Sequence, residues 1–374
     1  LREDDSLPLR QLFATFFIAA GLTYLLTPLV RRIALRWKLG DRPNGRKIHG
    51  SAIPHLGGIA LFLGVLAALY FAVLGHMRNE PDTYAFLAAF LPAGGVLVLL
   101  GLVDDLATLN PRQKMIVQSF SACLVPILGI TFPLDAFFGD RLILGYVVSF
   151  LLTYFWFVGA SCAYNLIDGM DGLAAGLVAI SSAAFALGAW LAGALLPLFI
   201  ALALLGATLA FLRHNFYPAR IFMGDTGSLF LGFVLAFIAV LLAMAGRTTD
   251  VFLGSLLILA VPILDTLLAI VRRIATRRPV FLPDADHIHH KLLAMGYSQP
   301  RVAFLLFGTQ ALFAAFGVLV LRGHHVFLYC AIAAAVAFFV FGLILMVRPS
   351  PERRRATLFE GAPGAPLPSL ERRD

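Results

Sequence analysis

The sequence predicts an all-α polytopic integral membrane protein with about eleven transmembrane helices, its N-terminus outside and its C-terminus cytoplasmic. Three observations carry that reading. Of the 374 residues, 60% are hydrophobic and 13% are charged, whereas soluble domains carry about 25% charged residues. Apolar runs of about 20 residues, the length that spans a bilayer, recur along the whole chain. The basic residues stand in short clusters between those runs, so the net charge of +8 is a topology signal and not a nucleic-acid-binding face.

The runs fall at 11–30, 53–75, 83–103, 114–131, 145–163, 172–193, 195–213, 228–246, 250–271, 302–321 and 325–347. The first is too long for a signal-peptide core and reads as a retained helix. The division between 172–193 and 195–213 requires a tight turn near Gly193 to Pro197. Alternate connections hold the cations: Arg31 to Lys47, Arg112 and Lys114, Arg213 and Arg220, Arg272 to Arg301. These are the cytoplasmic ones, and the remaining loops carry few. One outer loop, FPLDAFFGDRLILGY at 132–146, alternates loosely around Gly139–Asp140 and suggests a short β-hairpin. Residues 1–348 make the transmembrane domain, and 349–374 form a basic tail whose composition predicts disorder. Cys123, Cys162 and Cys330 share no metal or disulfide spacing.

Five polar motifs lie in the cytoplasmic connections or at the helix ends beside them. DRPNGRKIHGSAIPHLGG (41–58) combines turn formers, cations including Lys47 and His49, and a Gly-Gly pair at a helix start. Such a loop suits anion contact, although positive-inside loops look alike. LGLVDDL (100–106) ends a span on Asp104 and Asp105; adjacent carboxylates beside hydrocarbon are costly, and they either cap the next turn or meet a metal ion or phosphate. NLIDGMDGLAAG (165–176) places Asn165, Asp168 and Asp171 at i, i+3 steps, so the carboxylates converge. An N-cap at Asp171 accounts for one of them only. In FMGDTGS, Asp225 stands at a helix start, suited to a metal-bound phosphate, and Phe222 is an aromatic able to stack on a base. PDADHIHHKLL brings His287, His289 and His290 close together without a cysteine, which argues against zinc. Carboxylates without thiols favour a hard cation such as Mg²⁺, with Mn²⁺ as a substitute. Together these features point to phospho-group transfer between a soluble nucleotide-like donor and a lipid acceptor at the membrane surface. Asp265, about 10 Å inside its helix end at 1.5 Å per residue, has two readings: a functional carboxylate, or one that satisfies backbone groups freed by the Pro262 kink.

These motifs, in this order, resemble the bacterial polyprenyl-phosphate N-acetylhexosamine-1-phosphate transferases, a glycosyltransferase 4 type family, over about residues 11–347. The forms RKIHGSAIPHLGG and HIHHKLL are similar to its WecA/TagO branch. The resemblance implies ten or eleven helices around a cytoplasmic cleft in the bacterial inner membrane, usually as a homodimer, and Mg²⁺ dependence. It implies the transfer of GlcNAc-1-phosphate from UDP-N-acetylglucosamine to undecaprenyl phosphate, with release of UMP. By motif, Asp225 matches a Mg²⁺ ligand and Phe222 a uracil-stacking aromatic. Asn215 and Asp168 match the nucleotide site. Asp104 matches a base or nucleophile with Asp105 as its partner, Lys47 and His49 match the basic loop, and the HIHH run matches a donor-contacting motif. Asn165 joins the substrate-binding set and Asp171 the catalytic set. The rival readings are a phospho-MurNAc-pentapeptide transferase and a membrane transporter. The second is disfavoured because transporters place their sites near the midplane.

Overall fold

Long apolar runs separated by turn residues build a helical bundle, and a computed structural model describes 8–37, 53–75, 78, 81–134, 138, 142–246, 248–277 and 287–347. Its helices are α1 (Leu9–Arg36), α2 (Gly57–Gly75), α3 (Pro81–Ala107), α4 (Pro111–Ile127), α5 (Leu142–Ile167), α6 (Leu173–Ala192) and α7 (Leu195–Asn215). They continue with α8 (Gly224–Met244), α9 (Thr248–Ile258), α10 (Ala260–Ala275), α11 (Ile288–Ala294), α12 (Gln299–Leu321) and α13 (Val326–Val347). Nine are long and apolar enough to cross a membrane, or ten spans if α9 and α10 count as one bent crossing. The fourth expected span, 114–131, is α4, only 17 residues long. Among the described residues the chain is a multi-pass, all-helical membrane protein without strands.

The expected hairpin at 132–146 is not borne out. Leu142 to Tyr146 are the first residues of α5, because apolar residues leading into a long apolar run extend the helix. The Gly139–Asp140 turn lies outside the described residues, as do Lys47, His49 and the tail. The tight turn between α6 and α7 is present. Gly193 takes a left-handed φ of 69°, and Ala194 N–H donates to the Ala189 carbonyl at 2.9 Å, closing the helix in a Schellman manner.

α8 is the axis of the bundle. Every residue from Thr226 to Ala243 is buried, and α2, α3, α5, α6, α7 and α9 pack around it. Phe86, Phe90, Phe157, Phe233 and Phe237 interlock along it at centroid distances of 4.9–5.9 Å, in tilted and edge-to-face geometries that stabilise by about 0.5–1.5 kcal/mol per pair.

The ninth expected span is bent by 78° between α9 and α10. Pro262 has no N–H to give to Ile258, four residues earlier. The Ile258 carbonyl instead accepts from Ser181 Oγ at 2.8 Å and from Gln310 Nε2. Gln310 Oε1 accepts from Val261 N–H at 3.1 Å, and Tyr164 OH meets Ser181 Oγ at 3.0 Å. Ser181 and Gln310, not Asp265, therefore satisfy the broken backbone.

Candidate active site

The site is built where the C-terminal ends of α3, α5 and α7 meet the N-terminal ends of α4, α6 and α8. Local sequence sets each end. α3 stops at Thr108, which takes a left-handed φ of 49°. In the next turn Asn110 caps α4: its side chain accepts from Arg112 N–H at 3.0 Å while Gln113 Oε1 accepts from Asn110 N–H at 3.2 Å, a reciprocal capping box with Pro111 at the first helical position. This fold-back brings Lys114 over the end of α3. Its ammonium lies 3.1 Å from Asp104 Oδ2 and also pairs with Asp225 Oδ2. Asp104 Oδ1 accepts from Leu109 N–H at 2.7 Å. Asp104 thus caps the turn, as one of its two expected readings has it, and also pairs with the Lys114 ammonium.

Asp105 reaches across to α8. Its carboxylate accepts from Asp225 N–H at 2.8 Å, Thr226 N–H at 3.1 Å and Thr226 Oγ1 at 2.6 Å. From another helix it satisfies the first N–H groups of α8 and so fixes the backbone of Asp225. The approach is possible because Gly101 and Gly224 have no side chain. A Cβ on Gly101 would strike the Thr226 backbone, and one on Gly224 would strike the Asp105 carboxylate and the His55 carbonyl. Gly224 also holds a φ of +68°, which glycine tolerates without strain.

Asn165 completes the ring. Its Nδ2 donates to Asp225 Oδ1 and to Ser228 Oγ, both at 2.9 Å. Asp168 follows one turn later with partial solvent access. Burial, then the negative charges of Asp225, Asp105 and Asp171, raise its carboxyl well above the ordinary carboxylate value. Asp171 is buried but does not cap α6, whose N-cap is Gly172. It accepts from Ala219 N–H at 2.9 Å and so holds the 216–222 loop. Asn215 braces the same loop by donating to the Ile221 carbonyl at 3.0 Å, and its buried Oδ1 has no partner among the described residues.

That loop presents Phe222, which exchanges backbone hydrogen bonds with the segment ahead of α2. Phe222 N–H donates to the Pro54 carbonyl at 2.9 Å, Gly57 N–H to the Phe222 carbonyl at 2.9 Å, and Gly58 N–H to the Met223 carbonyl at 2.8 Å. The Phe222 ring is half-buried and tilts against His55 at 5.1 Å.

The histidines join from α11. His289 is fully buried and lies against Gly169, where a Cβ would collide with its Nε2; His290 Nε2 is 3.4 Å from the same point. His289 and His290 rings are 4.1 Å apart. Burial, with the neighbouring His290 and His287, lowers His289 to about 3, so it is neutral near pH 7. Neither ring nitrogen of His289 has a hydrogen-bond partner among the described residues.

Among the described residues Asp104, Asp105, Asn165, Asp168 and Asp225 come together at one end of the bundle, with His289 and His290 beside Gly169. What the motifs missed is Lys114, which looked like one of many topology charges; its place one turn past an Asn-Pro cap, ten residues from Asp104, was the available signal. Among the described residues no group of three His, Cys, Asp or Glu side chains is arranged to hold a metal by itself. Mg²⁺ does not need one, because it keeps waters and uses one or two carboxylates plus substrate phosphates. The residues fit such an ion. The donors are all oxygens, Asp168 is crowded by like charge, and an ammonium already sits against Asp104 and Asp225.

Comparison with known proteins identifies the family. The family model described as "Glycosyl transferase family 4" matches residues 86–243. The chain is 36% identical to the Bacillus subtilis protein named probable undecaprenyl-phosphate N-acetylglucosaminyl 1-phosphate transferase, covering 83% of this chain and 86% of that one. It is 37% identical to the Mycobacterium leprae decaprenyl-phosphate N-acetylglucosaminephosphotransferase, over 80% and 81%. It is 29% identical to the Escherichia coli K12 undecaprenyl-phosphate alpha-N-acetylglucosaminyl 1-phosphate transferase, over 86% and 87%. The chain belongs to glycosyl transferase family 4.

Proposed function

We propose that this chain transfers N-acetylglucosamine-1-phosphate from UDP-N-acetylglucosamine to undecaprenyl phosphate, giving undecaprenyl-pyrophosphoryl-N-acetylglucosamine and UMP. The observation that carries the reading is the single network of Asp104, Lys114, Asp225 and Asn165 at one end of an apolar bundle. The named activities of the similar proteins support it. In this reading the protein is a homodimer of the bacterial inner membrane, and the network faces the cytoplasm.

Asp225 and Asp168 would hold Mg²⁺, which when bound neutralises charge on the donor diphosphate and on the departing UMP. The other roles belong to the chain. Asn165 fixes one oxygen of Asp225, and Asp105 fixes its backbone, so the carboxylate needs little reorganisation. Phe222 offers its ring to the uracil. His289 and His290 border the donor side beside Gly169, with His287 stacked behind His289. The acceptor phosphate is largely dianionic near pH 7, given a second pKa of about 6. One of its oxygens forms a bond to the sugar-linked phosphorus, the bond to UMP breaks, and UMP leaves with the electron pair. Both oxygens of Asp104 already accept from donors, which favours this direct displacement over attack by Asp104. Asp104 holds Lys114 where the incoming phosphate charge arrives.

The test is transfer by the purified, detergent-solubilised protein. Radiolabelled UDP-N-acetylglucosamine, UDP-N-acetylgalactosamine and UDP-MurNAc-pentapeptide are offered in parallel with undecaprenyl phosphate and Mg²⁺. Label entering the organic phase from UDP-N-acetylglucosamine alone, and lost with EDTA, is the expected result. Label from UDP-MurNAc-pentapeptide would overturn the donor assignment, and label from none would overturn the reaction. Rapid quench should trap no phospho-aspartate.

A further inference from the structure

Asp265 plays no part in the chemistry above, and the α9–α10 break does not need it. It is 1% exposed in an apolar helix, and a carboxylate in such a place demands strong partners. Among the described residues it has two, both from the histidine segment. His287 Nδ1 lies 2.8 Å from Asp265 Oδ2, and Ile288 N–H donates to Oδ1 at 2.9 Å. His287 is itself 3% exposed. The carboxylate therefore grips the imidazole and the first backbone N–H of α11 at once. A carboxylate facing Nδ1 keeps the proton on that nitrogen and leaves the lone pair on Nε2. The ring so fixed stacks on His289 at 5.8 Å with an 8° interplanar angle. His289 in turn leans on Gly169, next to Asp168.

We propose that Asp265 is a positioning residue for the transfer reaction: acting through His287, it sets the tautomer and depth of the histidine cluster against the Asp168 loop. The inference rests on the functional reading above. Its chemistry is that of an outer partner orienting a working imidazole, and loss of such a partner lowers activity by about 10- to 100-fold.

The test has two arms. In the first, ¹⁵N-histidine spectra of the unmodified protein in detergent report the His287 tautomer. A proton on Nδ1 is expected; a proton on Nε2, or rapid exchange between the two, would overturn the proposal. This arm needs neither turnover nor a variant, so its failure is distinct from failure of the transfer reading. In the second, Asp265→Asn, His287→Gln and the double variant are compared for transfer. Each single change should lower kcat/KM for UDP-N-acetylglucosamine by about 10- to 100-fold and leave KM for undecaprenyl phosphate unchanged. The double variant should be no worse than the poorer single. Multiplying losses, an equal rise in both KM values, or wild-type transfer by Asp265→Asn would contradict it.

Discussion

Two of the polar clusters in this apolar bundle, one at the α9–α10 break and one at the N-terminus of α8, differ in what their groups leave unsatisfied. At the α9–α10 break, Tyr164, Ser181 and Gln310 are neutral, and their hydrogen bonds match the carbonyl and N–H that Pro262 disrupts. At the N-terminus of α8, Asp104, Asp105, Asp168 and Asp225 crowd one sign of charge into a small volume, with Lys114 against two of them. The first cluster is complete and holds shape. The second carries an excess of negative charge, which a bound cation relieves. A buried polar cluster that closes on itself is structure; one that leaves charge over is a site.

Substitution should separate the two. The largest effect is expected at Asp225. Asp225→Asn should lower transfer about 10³-fold with no loss of thermal stability, checked by label extraction and a melting curve in the same detergent. The opposite pattern is expected at Gln310. Gln310→Ala leaves Val261 N–H without its partner, costing about 1–3 kcal/mol. The melting temperature should fall while transfer per folded molecule stays at the wild-type level. Asp105 bridges the comparison, because it caps α8 and touches the site through that helix. Asp105→Asn should cost about 1 kcal/mol and lower transfer about tenfold, a loss in both readouts.

The smallest effect is a pH dependence. The carboxyl of Asp168 titrates above its ordinary value of 3.8 in the folded chain. Its charge therefore opposes folding: the penalty is absent below 3.8 and grows as pH rises through the raised folded value. Metal-free Asp168→Asn should accordingly gain melting temperature over the wild type as pH goes from about 4 to about 8. A gap that shrinks with rising pH would contradict this.

Much of this was legible in the chain. Most of the long helices follow from apolar length, although 114–131 is not a membrane-length helix, and the motif order placed Asp104, Asn165, Asp168 and Asp225 at helix ends that the fold brings together. The tight turn at Gly193 was readable because glycine is suited to a left-handed helix cap. Other features were hidden for physical reasons. Gln310 is one polar residue inside the apolar run of α12, and its meaning appears only when Ile258 and Ser181 lie beside it. Asp265 and His287 are 22 residues apart, and no periodicity relates them. The loose alternation at 132–146 was mistaken for a hairpin because the residues from Leu142 onward belong to α5. Asp171 looked like the cap of the helix that follows it, but its carboxylate accepts from Ala219 N–H on another loop. A sequence reveals which residues are chemically out of place more readily than which partners they find.

The most direct test of the central claim sets Asp225→Asn beside Gln310→Ala and measures transfer from UDP-N-acetylglucosamine per folded molecule, with the melting temperature taken on the same samples. The account predicts a folded, inactive Asp225→Asn and a less stable, active Gln310→Ala. An Asp225→Asn protein that still transfers at the wild-type rate would contradict it, because the charge gathered at α8 would then have no part in the reaction.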